Sequence, residues 1–116
     1  MTSSGPADTR SSLEVLRSAA IERERSLLES FDGIIEAASD VATDDEHDPE
    51  GHTIAWERQQ LAGLLDEARA ALAEIDAARR RLDDGSYGRC TSCGHDISPQ
   101  RLDALPATPV CVGCAR

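Results

Sequence analysis

The sequence predicts a mainly α protein: an antiparallel two-helix coiled-coil hairpin followed by a C-terminal module organised by four cysteines. Two observations carry this. Apolar residues step by threes and fours from Leu13 to Val41 and again from Ile54 to Leu82, which is the signature of paired helices. The only four cysteines form two matched pairs, Cys90-Thr-Ser-Cys93 and Cys111-Val-Gly-Cys114, with 17 residues between them.

Along the chain, residues 1–10 are expected to form a disordered tail. Ser11 with Glu14 makes a capping box and opens the first helix. Its seam is Leu13, Leu16, Ala20, Leu27, Ile34, Ala37 and Val41, with Arg23 and Ser30 at the two polar positions. The pattern breaks at Thr43-Asp-Asp-Glu-His-Asp48. Asp48 then serves as N-cap and Pro49 as first helical residue, where a missing N–H costs nothing. The second seam runs Ile54, Arg58, Leu61, Leu65, Ala68, Leu72, Ile75, Arg79 and Leu82, and Asp83-Asp84-Gly85 closes it with a glycine cap.

A short polar connection between two heptad helices implies an antiparallel pair over residues 11–84, with its tip at about 41–52. Pairing residues across that hairpin gives apolar layers Leu13/Ile75, Ala20/Ala68, Leu27/Leu61 and Ile34/Ile54, with Leu16/Leu72 between them. Arg23 opposite Leu65 and Ser30 opposite Arg58 make the half towards the tip the looser one.

Residues 85–116 are too few to bury a sufficient core, so a metal is expected to supply much of their folding energy. Two residues between thiols let one tight turn aim both sulfurs at one ion. Two such turns close a tetrahedral shell of Cys90, Cys93, Cys111 and Cys114 around one structural Zn²⁺, with no position left for water. Gly94 and Gly113 suit turns that need positive φ. Ile97, Leu102, Leu105 and Val110 are the expected packing residues, with Tyr87 and Gly88 as the elbow from the second helix. Two disulfides or a dithiol redox site are the alternatives for the cysteines. Residues 1–10 show neither a basic start nor an apolar run, and paired thiols in an unexported chain favour metal, so the expected location is cytoplasmic. No apolar stretch approaches membrane-spanning length.

The 116-residue chain has a formal net charge of -10, and its 12 basic residues are all Arg. That balance disfavours sequence-independent DNA binding, which requires a surplus of positive charge. A nucleic-acid-binding finger stays open for the near-neutral cysteine module, although the basic, aromatic-studded surface of such fingers is missing. No phosphate-cradling glycine loop or Ser-His-Asp pattern is present, and a closed thiolate shell holds no activating water, so the chain reads as non-enzymatic with no catalytic residues. Asp40 to Glu50 carries six acids and neither Lys nor Arg. Asp44, Asp45, Asp48 and Glu50 are candidate partner-binding groups there. The plain alternative is a solvated, helix-breaking loop. His47 and His52 read as surface histidines, and Trp56 either covers Val41 or is an exposed contact residue.

The order of these parts resembles the DksA/TraR family. The resemblance rests on the hairpin, then Ser86-Tyr-Gly-Arg-Cys90-Thr-Ser-Cys93-Gly, then Arg101-Leu102 and Pro106, then Cys111-Val-Gly-Cys114. It covers roughly residues 11–116 and is most specific from Tyr87 to Cys114. It implies a bacterial transcription regulator that binds RNA polymerase without contacting DNA. The hairpin would enter the secondary channel, acidic tip residues would perturb the catalytic region, and the zinc module would be a rigid base. The chain departs from the family at three places. The family tip Asp-x-x-Asp-x-Ala is here Asp45-Glu-His-Asp48-Pro-Glu50, with Glu in place of Ala. The sequence stops two residues after Cys114, without the C-terminal helix of longer members. It has no Lys, which removes basic groups that longer members use with ppGpp, so no ppGpp response is expected. A second reading keeps the scaffold as a zinc-stabilised protein-interaction or dimerisation module with an inert tip.

Overall fold

The computed structural model describes residues 6–41 and 49–115, with side chains at 7–36 and 53–115. Three helices follow in order: α1 (Pro6–Val41), α2 (Pro49–Asp84) and the short α3 (Pro99–Ala104). Among the described residues there is no strand, only an isolated antiparallel bridge between Arg89 and Asp96. No described helix is long and apolar enough to cross a membrane.

The two long helices pack antiparallel, and cross-helix ion pairs fix their register: Arg10–Asp83 at 2.9 Å, Glu14–Arg79 at 2.7 Å, Arg17–Asp76 at 2.9 Å and Glu24–Arg69 at 2.8 Å. In each of these pairs the two residue numbers add to 93, as a constant antiparallel register demands.

The chain divides into two compact units. One joins the residues up to Ala19 with Ala71 onward; the other is Ala20–Ala70. In the first, Leu13 and Ile75 are both buried, as their expected layer requires, together with Ala78. In the second, Ala20, Leu65 and Ala68 are buried. The layers Leu27/Leu61 and Ile34/Ile54 are half-buried. Arg23, Ser30 and Arg58 are exposed, and Trp56 is 62% exposed.

Three expectations about the helices are corrected. The first described helix begins at Pro6 rather than at a Ser11 cap, and Ser11 is an exposed interior residue. Pro6 and Asp8 both suit a first turn, and Arg10 is tied to Asp83 one turn before Leu13. Thr9 and Ser12 add to this by lining a cleft of about 610 Å³ with Leu82, Tyr87, Leu102 and Pro106. Leu16 is 38% exposed and not a seam residue of Leu13's kind. At the far end of α2 the buried position is Ala78, not Arg79. The Arg79 guanidinium instead reaches sideways to Glu14 and to Asp76, since a long cationic side chain keeps its charge paired rather than burying it in an apolar layer. Its Nε is shielded from solvent and meets Glu14 as a charge contact, off the line of a directed hydrogen bond.

The end of α2 forms as the sequence expects. Gly85 takes φ 84°, and the amides of Ser86 and Tyr87 donate to the Arg81 carbonyl at 2.9 and 3.1 Å. These bonds satisfy a carbonyl that the helix leaves without a partner. Asp84 Oδ1 accepts from the Ser86 hydroxyl at 2.6 Å and from its amide at 3.0 Å, which holds the Asp84 carboxyl below its usual pKa. The Thr43–Asp48 break, the Asp48 cap and the tip carboxylates Asp44, Asp45 and Asp48 lie outside the described residues, as does the side chain of Glu50.

Candidate metal centre

Beyond Gly85 the chain turns twice, and each turn presents a pair of cysteines. The first turn is a small hairpin. The Ile97 amide donates to the Gly88 carbonyl at 2.7 Å, and the Cys90 amide to the His95 carbonyl at 2.8 Å. Gly94 closes the loop, with φ 79° and its amide on the Cys90 carbonyl at 2.9 Å. Gly88, at φ 87°, is a close-approach position as well: a Cβ there would lie 3.5 Å from Leu102 Cδ1. The second turn needs no left-handed residue. Gly113 lacks positive φ, contrary to expectation, and the turn is held by the Cys114 and Ala115 amides on the Cys111 carbonyl at 3.1 and 3.0 Å. The Thr91 amide donates to the Pro109 carbonyl at 2.9 Å and ties the first turn to the chain entering the second.

This brings all four sulfurs within 4.8 Å of one another, with Cys90 buried and the others lining the outer side. Zinc–thiolate bonds of about 2.3 Å in a tetrahedron would set sulfurs about 3.8 Å apart. Cys93 Sγ and Cys111 Sγ are 3.8 Å apart. The donor set is therefore compact enough for a closed four-thiolate zinc shell, with this one edge at the tetrahedral value. Its electrostatics suit a cation too. Backbone amides of Cys111 and Cys93 hydrogen-bond the Cys90 sulfur and lower its pKa to about 6. The neighbouring sulfurs, Cys111 first, push Cys114 up to about 12. Four crowded thiols thus share negative charge poorly until a divalent ion neutralises it. His95 contributes its backbone carbonyl to the first turn and is not among the clustered ligand atoms.

Around the sulfurs, Ile97 is buried, while Leu102 and Val110 are half-buried. Leu105 is exposed, correcting its expected packing role: it ends α3, and its amide is spent on the Arg101 carbonyl at 2.7 Å. Thr108 is the buried polar residue instead. Its position beside Arg101 was not evident from periodicity, because it sits on an arm with neither helical nor strand repeat.

Residues 85–116 match the family model for the prokaryotic dksA/traR C4-type zinc finger. The C-terminal module is thus similar to the dksA/traR zinc fingers. That match and the four clustered sulfurs together give the module one structural zinc. The RNA polymerase-binding transcription factor DksA of Haemophilus influenzae is 35% identical over 49 residues, covering 42% of this chain and 34% of that protein. DksA of Escherichia coli (strain K12) is 33% identical over 49 residues, covering 42% of this chain and 32% of that protein. A protein of Aquifex aeolicus (strain VF5) with no assigned role is 37% identical over 62 residues, covering 53% and 43%. The matched stretch thus spans less than half the length of each of these relatives. The structure of the transcription factor DksA2 from Pseudomonas aeruginosa shares the fold, with a TM-score of 0.51 at 24% identity over 87% of this chain and 78% of that one.

Proposed function

We propose that this protein is a DksA/TraR-family, cytoplasmic, RNA polymerase-binding transcription regulator that inserts its helical hairpin into the secondary channel of the enzyme. The observation that carries this reading is the joining of two parts in one chain. Two helices of 36 residues each, paired by ion bridges, lead directly into a four-sulfur module of the dksA/traR type. In this reading residues 11–84 are the working hairpin, and its tip at about 41–52 presents Asp44, Asp45, Asp48 and Glu50. Residues 85–116 are the zinc-organised base, with Cys90, Cys93, Cys111 and Cys114 as ligands. The protein acts by binding rather than by catalysis, needs no DNA contact, and works without ppGpp.

A net charge of -10 fits a factor that meets a protein channel rather than a phosphate backbone. In this reading the tip carboxylates would reach basic groups or a metal ion inside a partner. Glu50 in the place of the family's Ala favours a second reading, in which the scaffold is a protein-interaction or dimerisation module with an inert tip.

The deciding experiment is binding of the zinc-loaded protein to purified core RNA polymerase, with a known secondary-channel protein as competitor. Saturable binding that the competitor removes is the expected result. Asp45→Asn with Asp48→Asn should then abolish any effect on transcription while leaving zinc content and helicity intact. Failure to bind at all would sink the channel reading. Binding with an unchanged effect in the double variant would favour the inert-tip module.

A further inference from the structure

The arm that carries Cys111 into the metal centre has no regular structure of its own, yet its backbone is gripped at almost every residue. The Pro106 carbonyl accepts from the Tyr87 hydroxyl at 2.8 Å, and the Thr108 carbonyl from Arg81 Nη2 at 3.5 Å. The Pro109 carbonyl accepts from the Thr91 amide at 2.9 Å, and the Val110 carbonyl from Arg101 Nε at 2.9 Å. Four donors from four different segments hold four carbonyls. The two prolines of the arm lack N–H groups, which limits how far the arm can bond to itself.

The last of these bonds lies next to the metal ligand. Arg101 Nε holds the carbonyl immediately before Cys111, and its Nη2 donates to Thr108 Oγ1 at 3.3 Å. The buried Thr108 hydroxyl in turn donates to the same Val110 carbonyl at 3.1 Å and accepts from the Val110 amide at 3.5 Å. Guanidinium, hydroxyl and carbonyl thus form a closed clasp. Arg101 is itself anchored, because its amide donates to the Ser98 hydroxyl that caps α3. A rigid fork with donors on separate nitrogens can grip two acceptors at once; an ammonium on a flexible stem holds neither in a fixed direction.

We infer that Arg101 is a positioning residue for the metal centre: with Thr108 it fixes the Val110 carbonyl, and so sets where Cys111 delivers its sulfur. The clasp orders the ligand arm before the ion arrives, so less ordering is charged against metal binding, and it dictates the angle at which the sulfur meets the ion. Outer groups that orient metal ligands in this way typically change metal affinity by about 10–100-fold when removed.

The test uses the full chain, prepared metal-free and reloaded, with Arg101→Met, Arg101→Lys and Thr108→Val. Zinc affinity is measured by competition with a chromophoric chelator, and ligand geometry from the visible bands of the cobalt(II) form at saturation. Arg101→Met is expected to weaken zinc about 10–100-fold and to alter the cobalt bands, with far-ultraviolet helicity unchanged. Arg101→Lys should recover only part of the loss. Thr108→Val should weaken zinc less, and its effect should not add to that of Arg101→Met, since both break one clasp. A general loss of stability would lower affinity but leave the saturated cobalt spectrum of the parent. Parent-like affinity and spectrum in Arg101→Met overturn the inference. Should Arg101→Met fail to fold, Thr108→Val decides alone: a parent-like affinity and spectrum there overturn it equally.

Discussion

Arg17 and Asp76 are joined across the two long helices, with Arg17 Nε donating to Asp76 Oδ1 at 2.9 Å, and Arg79 Nη1 reaches the same oxygen at 3.2 Å. The hydrogen bond from Arg17 is the main reason the Asp76 carboxyl lies below its usual pKa, with Arg79 adding to it and desolvation opposing. A depressed folded-state pKa stabilises the fold above the unfolded value, about 3.9 for Asp, and that stability is lost as pH falls through the lower folded value. Asp76→Asn should therefore flatten the acid limb of a stability–pH profile measured by urea denaturation below about pH 5. Both side chains are about one-third exposed, so the loss at neutral pH should be only about 0.2–1 kcal/mol and should shrink with added salt. An unchanged acid limb would count against the pair.

Leu13 and Leu16 are one turn apart and belong to different environments: the first is fully buried, the second 38% exposed. Leu13→Ala should cost about 2–5 kcal/mol, the range for emptying a packed site. Leu16→Ala should cost well under half of that, with thermal unfolding of the two variants compared side by side. Equal losses would mean that the heptad seam, rather than the observed burial, describes this end of α1.

Gly85 has φ 84° and nothing within 4 Å of a would-be Cβ. Gly85→Ala should then cost about 1–2 kcal/mol through backbone conformation alone, and Gly85→Asn less, because Asn tolerates the left-handed region. Chemical denaturation of the zinc-loaded protein measures both.

Replacing any one of Cys90, Cys93, Cys111 or Cys114 with Ser should release the zinc and unfold the module while the helical signal of α1 and α2 largely persists. A variant that kept stoichiometric zinc would break the four-thiolate assignment. Zinc uptake at pH 7 should also release protons, since Cys114 holds its proton up to about 12 in the metal-free cluster. Apparent affinity should accordingly rise with pH, and calorimetry in buffers of different ionisation enthalpy would count the protons.

Features written in short stretches of chain were legible beforehand. Two residues between thiols, a glycine after an acidic helix end and a proline opening a helix act through bonds a few residues long. The cysteine pairs, the Gly85 terminus and the Pro49 start of α2 could thus be located without any knowledge of what lies opposite. The same holds for Leu13, Ala20, Ala68 and Ile75, whose spacing already marks one face of each helix.

Tertiary structure decided everything that depends on a distant partner. Heptad spacing treats Leu13 and Leu16 as near equivalents and puts Arg79, not Ala78, in the seam. Only the opposing helix determines which one is buried, and the carboxylates of Glu14 and Asp76 draw the Arg79 guanidinium aside while Ala78 fills the layer. Likewise nothing local marks Thr108 as buried or Arg101 as its partner, seven residues away across the end of α3. Sequence periodicity reports which residues share a face; a clasp between an irregular arm and a guanidinium has no period, and exists only once the chain has folded back on itself.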